Sequence, residues 1–96
     1  MKMTRSSGNV FEDIGFDREE AESLRIRADL MMELSEFIRR KHLTQAQAAK
    51  FFGVTQPRIS DLVRGKIGQF TIDTLVTMLA RAGRKVVVQT KRAKAA

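Results

Sequence analysis

The residues best suited to a chemical function lie between positions 43 and 65, in two short segments separated by Gly53. In the second segment, a helix would have an apolar side formed by Ile59, Leu62 and Val63. Its opposite side would present Pro57, Ser60, Asp61 and Arg64, with Arg58 on the flank and Gln56 at the exposed first turn. Helices that read base edges in a DNA groove have this division between a packed side and a polar side. The pattern therefore predicts a DNA-reading helix.

The first segment, at 45–52, must cross the second closely if the second is to reach a groove. Ala49 is small enough for such a crossing, and Gly53 suits the left-handed turn that has to follow it. Thr44 and Thr55 precede the two segments, where a hydroxyl oxygen can accept hydrogen bonds from unpaired backbone N–H groups. These residues predict two helices joined by a tight turn over 44–64.

The net charge of +7 is unevenly distributed along the chain. Residues 1–38 contain five basic and nine acidic side chains, whereas residues 39–66 contain seven basic and one acidic. Residues 81–96 contain six basic side chains and no acidic ones. A basic surface attracts DNA because neutralising phosphates releases condensed counterions. The alternative interpretation of the same charges is a solvated surface without a partner.

Four candidate N-cap residues, Asp17, Thr44, Thr55 and Thr71, predict helices over 18–41, 45–52, 56–64 and 72–82. An apolar residue precedes each cap and another follows four residues after it, which is the spacing of the hydrophobic staple. The β-branched run at 85–90 predicts one strand, and a lone strand needs a partner. The simplest partner is the same strand of a second copy of the chain.

The predicted fold class is therefore all-α: a bundle of four main helices with one C-terminal β-strand, paired across a homodimer. Residues 1–16 are expected to form a flexible, partly packed leader. Residues 17–83 form the helix-turn-helix domain, and residues 84–96 form the C-terminal strand and a basic tail.

The stretch 43–65 resembles the phage lambda-repressor-like (XRE) helix-turn-helix pattern. It contains Leu-Thr-Gln, a small residue four positions after that Gln, and then Gly-Val-Thr-Gln, Ile-Ser, Leu and Gly in register. The wider chain is similar to the antitoxin subgroup of type II toxin–antitoxin systems. There a leader like Val-Phe-Glu-Asp-Ile-Gly-Phe precedes a long helix, and a strand like Gly-Arg-Lys-Val follows the last one. The resemblance implies a dimer that binds double-stranded DNA and, for the subgroup, a toxin protein as partner.

Matching positions imply a role for each residue of the motif. Base edges would be read by Gln56, Pro57, Arg58, Ser60 and Asp61. Phosphates would be bound by Gln45, Thr55, Arg64, Lys66 and Lys41. Structural positions of the motif would be Ala49, Gly53, Ile59 and Leu62.

Within this set, the side-chain amide of Gln56, braced by Gln45, could pair with adenine. At the next position, Pro57 replaces the polar residue that related repressors often have. The departure suggests contact with a thymine methyl group. Other interpretations remain open for three of these positions. Gln56 could only cap its helix, Arg58 and Arg64 could be solvated charges, and Asp61 could pair with either arginine.

Enzyme classes find little support in the sequence. The chain has one histidine, His42, and no cysteine, and it lacks a phosphate-binding glycine loop and metal-ligand spacing. No enzyme activity, cofactor or metal is therefore expected. No apolar run is long enough for a membrane span, which favours a cytoplasmic protein that joins the nucleoid when bound to DNA.

Three functions remain. The first is a sequence-specific autorepressor that binds a near-palindromic operator as a dimer. The second is an antitoxin whose main role is to sequester a toxin through its acidic leader and first helix. The third is non-specific nucleic-acid binding, governed by salt.

Overall fold

The computed structural model describes residues 9–93, which form five α-helices and one short 3-10 turn. The helices are α1 (Val10–Asp13), α2 (Arg18–Arg40), α3 (Gln45–Phe52), α4 (Gln56–Val63) and α5 (Ile72–Arg81), with the 3-10 turn at Ile67–Gln69. Helices α2 to α5 are the four that the capping pattern predicts. Helix α1 was not predicted, because a single turn is too short to show apolar periodicity.

The four predicted N-caps all form. The side chain of Asp17 accepts from the backbone N–H of Glu20, and each threonine likewise accepts from the N–H three residues on. At Thr44 the cap is reciprocal, since Gln47 accepts from the backbone N–H of Thr44 at 2.9 Å. Such caps satisfy donors that would otherwise be unpaired, and so they determine where each helix begins.

The core lies where the long helix α2 meets α4 and α5. Leu34 of α2, Ile59 of α4 and Leu75 of α5 are fully buried. The same apolar cluster also contains Met31, Ile38, Ala48, Ala49, Phe52, Leu62, Phe70, Met78 and Leu79. The polar side of α4 is thereby held in place by the burial of Ile59 and Leu62 on its opposite side.

The leader is partly packed where it is described. Asn9 caps α1 and also donates from its side-chain amide to the carbonyl oxygen of Ala21, at 2.8 Å. The rings of Phe11 and Phe16 meet edge to face at 6.3 Å between centroids. Residues 1–8 of the predicted leader lie outside the described residues.

The predicted C-terminal strand is the main correction. Residues 84–93 have no regular secondary structure, although Val86 packs on the core. Val87 and Val88 are each 82% exposed. A strand is defined by backbone hydrogen bonds to a neighbouring strand, and no second extended segment pairs with this one in the described part of the chain. The end of the predicted tail, at 94–96, lies outside that part.

Between residues 9 and 93, no helix has the length and apolar character needed to cross a bilayer.

We expect Gly53→Ala to lower the free energy of unfolding by about 1–2 kcal/mol, because an L-residue pays that cost in the left-handed region. Gly53 has φ +70°, and an added Cβ would overlap the guanidinium group of Arg81. Urea denaturation measures the change. Gly68→Ala is the matched control, since it lacks a positive φ and has open space around it. Its change should stay within about 0.5 kcal/mol; equal effects at both glycines would contradict the assignment.

Candidate nucleic-acid interface

The α3–turn–α4 unit has the geometry of two helices crossing at a tight corner. Gly53 ends α3 in the left-handed conformation, and the next N–H, of Val54, donates to the carbonyl oxygen of Ala49 at 3.0 Å. Ala49 is buried at the crossing side of α3. Ile59 and Leu62 are buried on the inner side of α4. The four residues predicted as structural thus lie on the buried side of α3, at the turn and on the buried side of α4.

The outer side of α4 is open to solvent over its first turn. Gln56 and Pro57 are exposed, while Ser60 and Asp61 are half-buried one turn further on. Thr55, predicted to bind phosphate, caps α4 by accepting from the N–H of Arg58 at 3.3 Å. Pro57 lies in the first turn of α4, where a missing N–H removes no helical hydrogen bond.

The predicted bracing of one glutamine by another is not formed. Within residues 9–93, neither Gln45 nor Gln56 has a side-chain hydrogen-bond partner. Both side chains are exposed at the first position of their helices, so both amides are free to bind other groups.

Arg58 points away from the outer side of its helix. Its Nη1 donates to the carbonyl oxygen of Gln69 at 2.7 Å. The guanidinium carbon lies 4.3 Å from the centre of the Phe70 ring. Among the predicted base-reading residues, Arg58 thus directs its functional group toward the protein itself.

The predicted phosphate-binding cations lie at the ends of helices. Arg64 ends α4, is exposed, and has no side-chain partner within the described residues. Lys66 lies just beyond it, with its ammonium group 3.9 Å from a carboxylate oxygen of Asp61. The alternative interpretation of Asp61 was a pair with Arg58 or Arg64, and the ion pair that the structure shows is with Lys66. Lys41 ends α2, with its ammonium group 5.9 Å from the centre of the Phe37 ring.

The N-terminal ends of the two motif helices differ from the others in charge. Helices α1, α2 and α5 have acidic residues in the first turn, whereas α3 and α4 have none. The first turn of a helix presents free N–H groups at the positive end of the helix dipole. Without carboxylates to neutralise them, the ends of α3 and α4 favour an anion such as a backbone phosphate.

Two arginines that bind backbone carbonyl groups on either side of α4 were not predicted from the sequence. Arg81 of α5 donates from Nη1 to the carbonyl oxygen of Phe52, directly beside the Gly53 turn. Arg27 of α2 reaches the carbonyl oxygens of Ile67 and Phe70, each at 3.4 Å. Their partners lie 29 to 43 residues away along the chain, so no local pattern indicates them.

A metal site is not indicated between residues 9 and 93, where no three His, Cys, Asp or Glu side chains come together.

Comparisons with known proteins agree with this geometry. The family model described as "Helix-turn-helix domain" matches residues 10–91. A solved structure named as an XRE family transcriptional regulator is 34% identical, with a TM-score of 0.71, over 80% of this chain and 90% of that one. No curated protein matches the chain. The chain therefore belongs to the XRE-like helix-turn-helix family.

Proposed function

We propose that the protein is a sequence-specific DNA-binding transcriptional regulator that inserts α4 into the major groove. The observation that supports this most directly is the division of α4. Ile59 and Leu62 are buried in the core, while Gln56 and Pro57 are exposed in the first turn. Recognition helices of this class contact bases with their N-terminal residues. The resemblance to a transcriptional regulator over most of the chain supports the same function.

Direct reading begins with Gln56. Its unpartnered amide can donate to N7 and accept from N6 of adenine in one bidentate contact. Pro57 beside it offers an apolar surface to a thymine methyl group. Ser60 and Asp61, half-buried one turn on, contact bases only where the groove floor comes closest. Because Asp61 also approaches Lys66, its carboxylate is partly neutralised and tolerates a nearby phosphate.

Phosphate contacts position the protein without reading sequence. Gln45 at the start of α3 and Arg64 at the end of α4 are exposed and unpartnered within the described residues. Lys66, in the turn after α4, and Lys41, before α3, are further phosphate contacts. The Thr55 hydroxyl oxygen accepts from the N–H of Arg58, so its own proton can be donated to a phosphate oxygen. The carboxylate-free first turns of α3 and α4 support phosphate binding at the same surface.

We further propose that the regulator is a homodimer on a near-palindromic operator, with half-sites about 34 Å apart, and that it represses its own gene. The exposed segment at 84–93 supports a second copy as partner. From residue 85 to residue 93 its backbone makes no hydrogen bond within the described residues, and two adjacent valines, Val87 and Val88, are exposed to water. Antiparallel pairing with the same segment of another subunit would satisfy both the backbone and the apolar side chains.

The first test compares Gln56→Ala with Lys66→Ala on DNA from upstream of the gene and on a shuffled control. The unsubstituted protein should prefer the upstream DNA by about a thousandfold at physiological salt. Gln56→Ala should reduce that preference, at a cost of about 1–3 kcal/mol on the cognate sequence. Lys66→Ala should weaken binding to both DNAs alike, because a phosphate contact is independent of sequence. Equal, weak binding of the unsubstituted protein to both DNAs would contradict specific binding at this operator.

The dimer is tested by replacing both exposed valines with proline. Val87→Pro with Val88→Pro removes two backbone donors and should shift the protein toward monomer in sedimentation equilibrium. Val87→Thr with Val88→Thr is the matched control, since threonine is β-branched and keeps the N–H groups. If the proline variant stays as dimeric as the control, strand pairing is the wrong dimer contact.

A second function, toxin sequestration, is favoured by the surface around α1. An open apolar groove of about 620 Å³ lies between α2 and the end of α4, lined by Phe11, Met31, Met32, Leu62, Val63 and Ile67. The leader and the first turn of α2 present exposed carboxylates: Glu12, Asp13, Glu19 and Glu20. Glu22 is already engaged, since its hydrogen bond with Arg25 at 2.6 Å lowers the pKa of that carboxyl group. An apolar groove suits a protein partner, and exposed carboxylates on the leader and α2 suit a basic one.

The antitoxin function is tested with the product of the adjacent open reading frame. Converting the four exposed carboxylates to their amides removes charge while keeping shape, and leaves the cap Asp17 intact. Binding of that product should weaken at least tenfold if the acidic surface is the contact. Asp73→Asn, on α5, is the control for general loss of charge. Unchanged affinity in the fourfold variant would exclude the acidic surface.

A further inference from the structure

We propose that Arg58 is a positioning residue, which holds the turn at 65–70 against α4, and that it does not read a base. The inference rests on the proposed DNA-binding function. It assigns Arg58 a different role from the one that the family resemblance implies, because the orientation of its guanidinium group differs from that of an outward reader.

The guanidinium group of Arg58 makes two contacts at once. Nη1 donates to the carbonyl oxygen of Gln69 at 2.7 Å, and the planar group lies 4.3 Å from the centre of the Phe70 ring. Phe70 is only 1% exposed and belongs to the core cluster. A planar cation over an aromatic face combines electrostatic attraction with stacking, and lysine reproduces this poorly. To reach DNA, the side chain would have to give up both contacts.

The same turn is held from the opposite side by α2. Nη1 of Arg27 lies 3.4 Å from the carbonyl oxygens of Ile67 and Phe70. Arg27 and Arg58 together therefore donate to three of the four backbone carbonyl groups at 67–70. The ammonium group of Lys66 adds a link back to Asp61 of α4 at 3.9 Å. The turn is therefore tied to both the central helix and the recognition helix by side-chain contacts.

This arrangement joins two parts of the DNA-binding surface into one unit. The first turn of α4 presents the base-reading side chain of Gln56, and the tied turn presents the exposed Lys66. If the turn moves independently of α4, a phosphate contact made by Lys66 no longer determines how deeply Gln56 enters the groove. Arg58 keeps their relative position constant, so its effect on DNA binding is indirect.

The experiment compares Arg58→Ala and Arg58→Lys with Arg64→Ala, an exposed arginine on the same helix that has no side-chain partner within residues 9–93. The first readout is amide hydrogen exchange of the DNA-free protein. The N–H groups of Ile67, Gln69 and Phe70 are hydrogen-bonded within the turn. Both Arg58 variants should exchange these amides at least tenfold faster, and Arg64→Ala should leave them unchanged.

The second readout is DNA affinity against salt concentration and against single base-pair changes in the upstream DNA. Arg64→Ala should reduce the slope of log K against log salt by about 0.9, the value for one lost phosphate contact. Both Arg58 variants should bind DNA more weakly. Their salt slope and their base-pair preferences should equal those of the unsubstituted protein. Lysine should fail to restore affinity, because it keeps the charge but not the stacking.

Three outcomes would overturn the assignment. Unchanged exchange at 67–70 in Arg58→Ala would show that the turn does not depend on this side chain. A relaxed preference at one base pair would identify Arg58 as a base reader. A reduced salt slope with rescue by lysine would identify it as a phosphate contact. Since exchange is measured without DNA, failure of the proposed DNA-binding function would leave this readout intact, and the two failures are distinguishable.

Discussion

The recognition helix α4 is only eight residues long, and this constraint governs the rest of the structure. A helix of two turns is unstable in water by itself, because nucleation costs more than a few hydrogen bonds return. Its stability has to come from burying Ile59 and Leu62 in the apolar core, where α4 packs against α3 and the long helix α2. The orientation of the polar outer side of α4 thus depends on the packing of Ile59 and Leu62.

Packing alone does not define the angle at which so short a helix emerges, and the turns on either side of α4 are fixed by arginines. Arg81 holds the carbonyl group that precedes Gly53, and Arg27 and Arg58 hold the turn that follows the helix. Arginine suits this work because its planar group offers several donors in fixed directions. The backbone carbonyls of the two turns gain partners, and α4 gains a defined orientation.

This use of arginine changes how the basic charge of the chain should be interpreted. The sum over 39–66 suggests a surface devoted to phosphates, yet Arg58 is bound to a carbonyl group and an aromatic ring. Arg58 keeps its positive charge, but its donors are engaged within the protein, so fewer cations are available for direct phosphate contacts than the formal charge implies. The available Arg64 and Lys41 follow the carbonyl ends of α4 and α2, whereas the N–H groups without a neighbouring carboxylate lie in the first turns of α3 and α4.

Sequence by itself determined the features that depend on neighbours a few residues apart. The N-caps at Asp17, Thr44, Thr55 and Thr71 span three residues each, and the glycine turn at position 53 is a local requirement, so all of them could be predicted. The burial of Ile59 and Leu62 followed from helical periodicity, whereas Val63, predicted on the same side of α4, is 40% exposed at the end of the helix. Only the tertiary structure decided where the arginines point, because their partners lie 11 to 43 residues away. The segment at 85–90 shows the same limit, since β-branched residues favour extended backbone but a strand exists only where another backbone pairs with it.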